Sequence, residues 1–451
     1  MKSNKYEIDM CNGSIMDKLI SFSLPLMISG MLQLMFNAVD IVVVGRFTGS
    51  SALAAVGSTT ALIAVFTNLF IGISLGANVL AARFYATDKK KEMSETVHTA
   101  ILFALLSGLV MAFIGVLMAK PALEIMGTPD NVIDQSVLYM RIYFMGMPFF
   151  MIYNYGAAIL RAIGDTKRPL LFLIIAGVTN AVLNLFLVIA FHLGVAGVAI
   201  ATIISQFISC VLVLRCLYKS EGSYQLRFSK LRIQSVYLKQ IFQVGIPAGI
   251  QSTVINISNA LLQSSVNSFG SVAMAGYTAA NNILGFLYVS VNSVTQACMS
   301  FTSQNYGVRK LKRMDRVLID CMILTVVVGT VLGGGAYLLG PELLHIYTEQ
   351  NNVVQCGVEI LSYTTVTYAL CGLMDLFPGA LRGMGYSTVP MLLSIIGTVG
   401  VRILWIFVLF PVHRTLGFLF LSYPVSWLAT IIMQVICFYF VRKKVHKKIC
   451  L

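Results

Sequence analysis

Apolar residues occur along the chain in runs of about twenty or more, and short segments rich in glycine, proline or charge separate the runs. About twenty helical residues are enough to cross a hydrocarbon core roughly 30 Å thick, and a helix satisfies its own backbone hydrogen bonds there. The pattern therefore predicts an all-α polytopic membrane protein with twelve transmembrane helices. The predicted spans lie at residues 19–45, 53–85, 97–118, 136–160, 169–191, 195–217, 238–268, 273–306, 317–339, 357–381, 390–410 and 416–441.

The composition agrees with this interpretation and narrows it. Hydrophobic residues make up 57% of the 451 residues and charged residues only 11%, whereas roughly a quarter is charged in a typical soluble domain. No segment before Leu19 combines a basic start, a short apolar stretch and a small-residue cleavage site, so no removable signal peptide is expected. The nine cysteines show neither CxxC nor Cys/His ligand spacing, and so neither a disulfide framework nor a zinc site is predicted.

The positive charges indicate how the chain is oriented. If successive loops alternate between the two sides, most of the 32 lysines and arginines lie on the side that holds both termini. The opposite side has only Arg46, Lys120 and Arg414. Because cytoplasmic loops collect lysine and arginine, both termini are predicted to be cytoplasmic and the protein to lie in the cell membrane. The net charge of +14 is then a consequence of topology, and no nucleic-acid partner is expected.

The two halves of the chain repeat one another. The segment "ILRAIGDTKRPLL" (159–171) aligns with "ALRGMGYSTVPML" (380–392), and isolated glycines, alanines and tyrosines elsewhere share the same offset. Six spans in each half give both halves the same starting side, which predicts parallel repeats. We expect an N-terminal six-helix lobe at 1–220 and a C-terminal one at 221–451, joined by a cytoplasmic linker at 218–237. Two similar bundles are the usual body plan for rocking-type alternating access.

An aspartate interrupts the first apolar run. Asp40 lies six residues before Arg46, which places it about 9 Å below the outer membrane surface. A carboxylate in hydrocarbon costs on the order of 3 kcal/mol, so it faces a cavity or a partner and is a functional candidate. Asn180 and Asn184, at i, i+4 spacing in the fifth span, and Thr202 in the sixth reach a similar depth.

These four side chains could converge on a monovalent cation or on a proton held by Asp40. A sodium ion would find its ligands at Asp40, Asn180 and Thr202. In the alternative interpretation, the amides and the hydroxyl only bridge neighbouring helices by hydrogen bonds.

A second intramembrane acid, Asp375, lies in the tenth span, and its repeat partner is Asn154. Asp375 could anchor a cationic substrate or provide a second protonation site. Alternatively, it could form a structural ion pair with Arg402, an arginine inside the eleventh span.

Several chemistries have no signature in the sequence. It contains no GxxxxGK[ST] phosphate loop, no HExxH and no GxSxG motif. We therefore expect no enzymatic activity, no organic cofactor and no ATPase domain. The energy for uphill transport would come from a proton or sodium gradient.

Four segments resemble the multidrug and toxic compound extrusion (MATE) transporters. They are "LPLMISGMLQLMFNAVDIVVVGRFTGSSALAAVG" (24–57), "LRAIGDTKRP" (160–169), "GIPAGIQ" (245–251) and "LRGMGYSTVP" (381–390). The resemblance extends over essentially the whole chain. It implies a fold of two six-helix lobes forming a V. The implied activity is proton- or sodium-driven export of organic cations and other toxic compounds.

The resemblance also implies roles for individual residues. Asp40 stands at the position of the family's first-helix aspartate, and Asn180 and Thr202 match ion-site positions described for several members. Asn184 departs from the pattern, since many members have an aspartate there, and this favours a proton over sodium. The seventh span, "QSTVINISNALLQ" (251–263), lacks the glutamate of one sodium-coupled subgroup, and Asp375 is displaced from that subgroup's tenth-helix acid.

The sequence thus predicts a monomeric secondary antiporter that exports small, cationic, amphipathic organic substrates. The principal alternative is a flippase for a lipid-linked precursor, which would have a strongly cationic central cavity. Arg402 is the one candidate lining charge, and this argues against a flippase. A channel or a membrane-embedded enzyme is the remaining alternative, and neither a filter-like loop nor a catalytic constellation supports it.

Overall fold

A computed structural model describes residues 6–450, and every regular element within that range is a helix. The α-helices are α1 (Met16–Phe47), α2 (Ser50–Ala86), α3 (Lys90–Ile125), α4 (Asp130–Met145), α5 (Met147–Ala162), α6 (Lys167–Leu185), α7 (Gly194–Lys219), α8 (Ser235–Asn267), α9 (Ser271–Gly307), α10 (Leu311–Leu338), α11 (Gly340–His345), α12 (Asn351–Thr364), α13 (Tyr368–Gly383), α14 (Thr388–Ser394), α15 (Val401–Leu404), α16 (Leu416–Phe420) and α17 (Ser422–Cys450). Short π-helical turns occur at Phe186–Ala190, Ile395–Gly400 and Trp405–Leu409.

The helices are long and apolar enough for a polytopic membrane protein. Within the described range, nine of them could cross a membrane by length and composition, or up to eleven if each of two bent pairs counts as one span. The bent pairs are α4 with α5 and α12 with α13. Helix α8, which covers the seventh predicted span, is not among these eleven. The prediction of an all-helical membrane protein is confirmed.

Two predicted spans are broken rather than continuous. Helices α4 and α5 meet at an angle of 47°, and Pro148 lies in the first turn of α5. Proline has no backbone N–H and its ring clashes with the preceding turn, so the break falls where the sequence requires it. Helices α12 and α13 meet at 49°, and near the break Thr365 and Thr367 donate to the carbonyls of Leu361 and Tyr363 at 2.7 and 3.0 Å. Such bonds compete with regular helix hydrogen bonding and often bend helices.

The helices form two compact units. Unit 1 contains the described part of Met1–Asp9 together with Ile28–Ile246, and unit 2 contains Met10–Met27 and the described part of Pro247–Leu451. The chain passes from one unit to the other between Asp9 and Met10, inside α1 and inside α8. Residues 218–237 belong to unit 1, where the backbone N–H of Arg227 donates to His98 Nε2 at 3.0 Å. The functional boundary between residues 220 and 221 stays a prediction.

Unit 1 has its main core among helices α2, α3, α4, α5 and α7. A smaller apolar cluster surrounds the C-terminal half of α1, where Val43 and Val44 pack with Val56 of α2, Tyr139 of α4 and Val198 of α7. This second cluster packs the segment of α1 that follows Asp40 against α2, α4 and α7.

The N-terminal segment of unit 1 is anchored by specific contacts. Glu7 accepts hydrogen bonds from the hydroxyls of Tyr85 and Tyr224 at 2.8 and 2.7 Å. The backbone of Ile8 lies directly against Gly164, whose φ of +93° is readily available only to glycine. The segment therefore docks through backbone contact as well as through side chains.

Unit 2 has an aromatic core at the interface of α13, α16 and α17. The ring centroids of Tyr368 and Trp427 lie 5.7 Å apart, and those of Phe420 and Tyr423 lie 5.8 Å apart. Both pairs belong to one buried cluster, in which Trp405 also packs. Rings of this size bury enough surface to fix the helices that carry them.

Candidate functional site

A close contact between α1 and α6 positions the first candidate site. The ring of Phe36 lies against Gly177, where a Cβ atom would come within 1.8 Å of the ring. Only the absence of a side chain at Gly177 allows this approach. Asp40 lies one helical turn after Phe36, and Asn180 and Asn184 follow Gly177 on α6.

The four predicted residues of this site come together in one hydrogen-bonded chain. The amide Nδ2 of Asn184 donates both to Asp40 Oδ1 and, at 3.2 Å, to Asn180 Oδ1. Asn180 Nδ2 in turn donates to Thr202 Oγ1 at 3.5 Å, a long and weak contact. The hydroxyl of Thr202 donates to the backbone carbonyl of Val198 at 3.0 Å. The chain thus runs from Asp40 through two amides to a hydroxyl on α7.

Charge in this group is confined to Asp40. Among the described residues, no lysine or arginine forms an ion pair with Asp40. Asn180 and Asn184 are 5% and 0% exposed, so the carboxylate meets neutral and largely dry neighbours. A small change in the surroundings of such a carboxylate can change whether it is protonated.

One atom of the chain has no partner. Asn184 Oδ1 is buried and accepts no hydrogen bond within the described part of the structure. The amide orientation follows from the hydrogen-bond network, and rotating the amide by half a turn would present Oδ1 to Asp40 instead. This unpaired acceptor is suited to a protonated Asp40, whose hydroxyl would be a donor.

Sequence reasoning missed two tyrosines beside this site. Tyr139 and Tyr143 of α4 lie close enough to Asp40 to interact with its charge, and their rings stack with centroids 6.2 Å apart. Their i, i+4 spacing on α4 is a signal that they share a face, but it does not say which helix that face meets. The position of the tyrosines beside Asp40 is therefore visible only in the folded protein.

The structure corrects the proposed ion pair between Asp375 and Arg402. Within the described range, Asp375 interacts with the hydroxyl of Tyr288 and with the charge of Arg382, and it forms no ion pair with Arg402. Arg382 also donates from Nη2 to Gln251 Oε1 at 2.7 Å. The pairing failed because α13 turns Asp375 towards the end of its own helix, where Arg382 lies two turns further along.

The remaining two predicted residues have other partners. Asn154 lies in unit 1 and donates from Nδ2 to the carbonyl of Phe150 in its own helix at 2.8 Å. Arg402 lies in unit 2, where Nη1 donates to Asn259 Oδ1 at 2.8 Å and Nε to Ser426 Oγ at 3.3 Å. Neither Asn154 nor Arg402 hydrogen-bonds to Asp375 within the described range.

Comparison with known proteins gives consistent results. The family model MatE matches residues 25–186 and 247–408. The chain is 30% identical over 434 residues to the probable multidrug resistance protein YoeA of Bacillus subtilis, covering 94% of this chain and 93% of that protein. It is 22% identical to the multidrug export protein MepA of Staphylococcus saprophyticus, covering 94% of this chain and 92% of MepA.

A solved structure has the same fold. It is an outward-facing conformation of a multidrug resistance MATE family transporter, with a TM-score of 0.91, 20% identity, and coverage of 99% of this chain and 100% of that one. The match of the MatE model to both halves agrees with the predicted internal repeat. The chain therefore belongs to the MatE family of multidrug and toxic compound extrusion transporters.

Proposed function

We propose that this protein is a proton-coupled antiporter that exports small organic cations from the cytoplasm, with Asp40 as the coupling group. The names of its relatives, which are multidrug resistance and export proteins, support drug export over a lipid-linked precursor flippase. The chain carries both repeats, so we propose that one copy is sufficient for transport. Both termini would lie in the cytoplasm, as the distribution of basic loops favours.

The observation that carries this proposal is the hydrogen-bonded chain from Asp40 to Thr202. The amide nitrogen of Asn184 donates to the carboxylate of Asp40, and the oxygen of Asn180 accepts from the same nitrogen and holds it in place. After protonation, a half-turn of the Asn184 amide would offer its unpaired Oδ1 to the new hydroxyl. Both protonation states of Asp40 can thus be satisfied by the same neighbour.

Differential stabilisation of the two states is what couples a proton to a conformational change. Ionised Asp40 would favour the conformation that loads substrate from the cytoplasm. A proton arriving from outside would remove the buried charge, allow α1 and α6 to repack around Phe36 and Gly177, and release the substrate outward.

Sodium is the second candidate for the coupling ion. A carboxylate and three neutral side chains with oxygen atoms suit a hard monovalent cation. In the present arrangement, however, Asn180 Oδ1 and Thr202 Oγ1 each accept a hydrogen bond from an amide, so a sodium ion would have to displace those bonds. The geometry therefore supports the proton more strongly.

Ethidium efflux from proteoliposomes tests the proposal, with a proton gradient and a sodium gradient imposed separately. We expect the proton gradient alone to drive efflux. Asp40→Asn should reduce efflux to the level of protein-free liposomes under either gradient, because an amide cannot change its charge. Asp134→Asn, which removes an exposed acid of α4, is the matched control and should export normally.

Three outcomes would contradict parts of the proposal. Efflux driven by sodium alone would exchange the proton for sodium as the coupling ion. Normal coupled export by Asp40→Asn would remove the role of Asp40. Failure of both gradients, together with transport of lipid-linked substrates, would favour the flippase.

We assign Asp375 to substrate binding. It is partly buried in unit 2 and interacts with Tyr288, whose side chain is 43% exposed. An exposed aromatic ring beside a carboxylate suits an amphipathic organic cation. Asp375→Asn should therefore raise the KM for ethidium while the proton gradient continues to drive efflux. A loss of proton coupling would instead identify Asp375 as a second protonation site.

A further inference from the structure

Arg402 is a buried cation whose hydrogen-bond and ring partners among the described residues are all neutral. Its side chain is 2% exposed, and it donates to Asn259 and Ser426. The centre of its guanidinium lies 4.2 Å from the ring centroid of Tyr423, in a cation–π contact. No aspartate or glutamate of the described chain forms an ion pair with it. A charge that is buried in a membrane span without a counter-ion costs free energy, and such residues usually have a function.

The internal repeat allows Arg402 to be compared with a position in unit 1. The two stretches matched by the MatE model, 25–186 and 247–408, have the same length. If the two stretches are aligned end to end without a gap, Arg402 pairs with Asn180 of the Asp40 site. Its partner Asn259 corresponds to Asn37, which lies one turn before Asp40 on α1.

A π-helical turn supports this correspondence. The loop glycines Gly164 and Gly385 have φ values of 93° and 92° and correspond to each other in the repeat. Their separation along the chain is one residue shorter than that of Asn180 and Arg402. The π-helical turn Ile395–Gly400 lies between Gly385 and Arg402. A π-helix closes its hydrogen bonds over five residues instead of four, so one such turn accommodates the additional residue.

The polar groups of the first site are replaced in unit 2. On the same register, Leu262 takes the place of Asp40 and Ile406 takes that of Asn184. Leu262 is fully buried. Unit 2 thus has no acid at this position to attract a mobile cation, and it has a covalently attached cation instead.

We propose that Arg402 is a tethered cation: its guanidinium permanently fills, in unit 2, the position that corresponds to the exchangeable cation site of unit 1. The inference rests on the proposed role of Asp40 and extends it. Unit 2 then behaves as if its cation were always bound, and only unit 1 exchanges an ion during the cycle. Asn259, Ser426 and the Tyr423 ring serve as the ligands of the tethered charge.

Removal of the tether tests the proposal. In the full-length protein, Arg402→Ala should lower both the midpoint of thermal unfolding and ethidium efflux, the latter by about tenfold or more, because Asn259 loses its buried donor. Added guanidinium ion, at millimolar concentration, should restore both quantities by occupying the vacated position. The wild-type protein and the exposed-site variant Arg141→Ala should not respond to guanidinium.

Two further variants separate a need for charge from a need for volume. Arg402→Lys retains a cation and should keep efflux within about threefold of wild type, although it cannot reproduce the planar fork. The double variant Arg402→Met with Asn259→Leu replaces the polar pair by apolar side chains, which often preserves stability. It should unfold near the wild-type temperature but transport poorly.

The possible results are distinct. The proposal is overturned if Arg402→Ala is as stable and active as wild type, if guanidinium fails to raise its unfolding temperature, or if the apolar double variant transports normally. If Arg402→Ala folds only when guanidinium is present, the proposal is supported. The unfolding measurement does not depend on transport, so it remains informative even if Asp40→Asn shows that the coupling role of Asp40 is wrong.

Discussion

At the scale of single residues, we expect the side chain at position 184 to determine which ion the first site prefers. Asn184 donates to Asp40 and keeps its own oxygen unpaired, an arrangement suited to a proton. Asn184→Asp would place a second carboxylate beside the first. Two adjacent carboxylates repel each other, and a bound sodium ion relieves that repulsion.

We therefore expect sodium to raise the unfolding temperature of Asn184→Asp by several degrees, and to leave wild type unchanged. Thermal unfolding in sodium and in choline chloride measures the difference. The double variant with Asp40→Asn and Asn184→Asp has a single carboxylate again and should lose the response. A sodium response of equal size in wild type would show that the amide does not exclude sodium.

The sequence predicts which residues form this site better than it predicts how their side chains are oriented. Asp40 stands out because a carboxylate is costly in an apolar run, and Asn180 and Asn184 share a helical face. The sequence could not predict that Asn184 turns its amide nitrogen, not its oxygen, towards Asp40, because this orientation depends on the whole network. Tyr139 was missed for a similar reason, since its position beside Asp40 depends on how α4 packs.

At the scale of helices, Gly177 sets the distance between α1 and α6. A Cβ atom at this position would overlap the Phe36 ring, so Gly177→Ala should force the helices apart and weaken the contact between Asp40 and Asn184. Overpacking of this kind costs typically about 1–3 kcal/mol. We expect Gly177→Ala to lower the unfolding temperature and the rate of ethidium efflux.

Gly57→Ala is the matched control for this substitution. Gly57 lies in α2 and is exposed, and a Cβ atom there would meet nothing within 4 Å. Alanine is the better helix former by about 1 kcal/mol, so this variant should be as stable as wild type or more so. Equal behaviour of the two variants would show that Phe36 moves aside freely and that Gly177 does not set the distance.

The docking of the N-terminal segment depends on a different glycine. Gly164 combines a positive φ with direct contact, since a Cβ atom would lie 2.6 Å from the backbone nitrogen of Ile8. Gly127 has a φ of +71° but open space around it. Both alanine variants bear the strain of positive φ, roughly 1 kcal/mol, and only Gly164→Ala also displaces the segment.

Hydrogen exchange measures this displacement directly. Gly164→Ala should increase exchange at the amides of residues 7–9, whereas Gly127→Ala should leave them protected. If the two variants give the same exchange, the segment is held by the Tyr85 and Tyr224 hydrogen bonds to Glu7 alone. The comparison therefore separates backbone contact from side-chain anchoring.

The helices themselves were largely predictable, because apolar runs of this length have few alternatives in a membrane. The bend at Pro148 could have been anticipated from the proline, whereas the break at 365–367 arises from threonine hydroxyls bonding back to the helix. The ion pair between Asp375 and Arg402, one of the alternatives that the sequence left open, does not form among the described residues. Arg402 instead satisfies its donors with neutral groups.

At the scale of the whole molecule, the two sites together predict the stoichiometry of transport. On the two proposals above, Asp40 would be the exchangeable charge of unit 1 and the Arg402 guanidinium would take the corresponding place in unit 2. One proton should then enter for each substrate that leaves. A gradient of one pH unit would balance an ethidium gradient of about tenfold, and a two-proton exchanger would balance about a hundredfold.

The balance point can be measured in proteoliposomes by finding the ethidium ratio at which net flux stops for each imposed pH difference. Exchange of one proton for one monovalent cation moves no net charge, so a membrane potential set by potassium and valinomycin should not shift this ratio. The same balance point should be measured for Asp375→Asn, since this variant leaves Asp40 intact and removes the second intramembrane acid. A hundredfold balance in wild type that drops to tenfold in Asp375→Asn would mean that unit 2 also carries a proton and that its charge is not permanent.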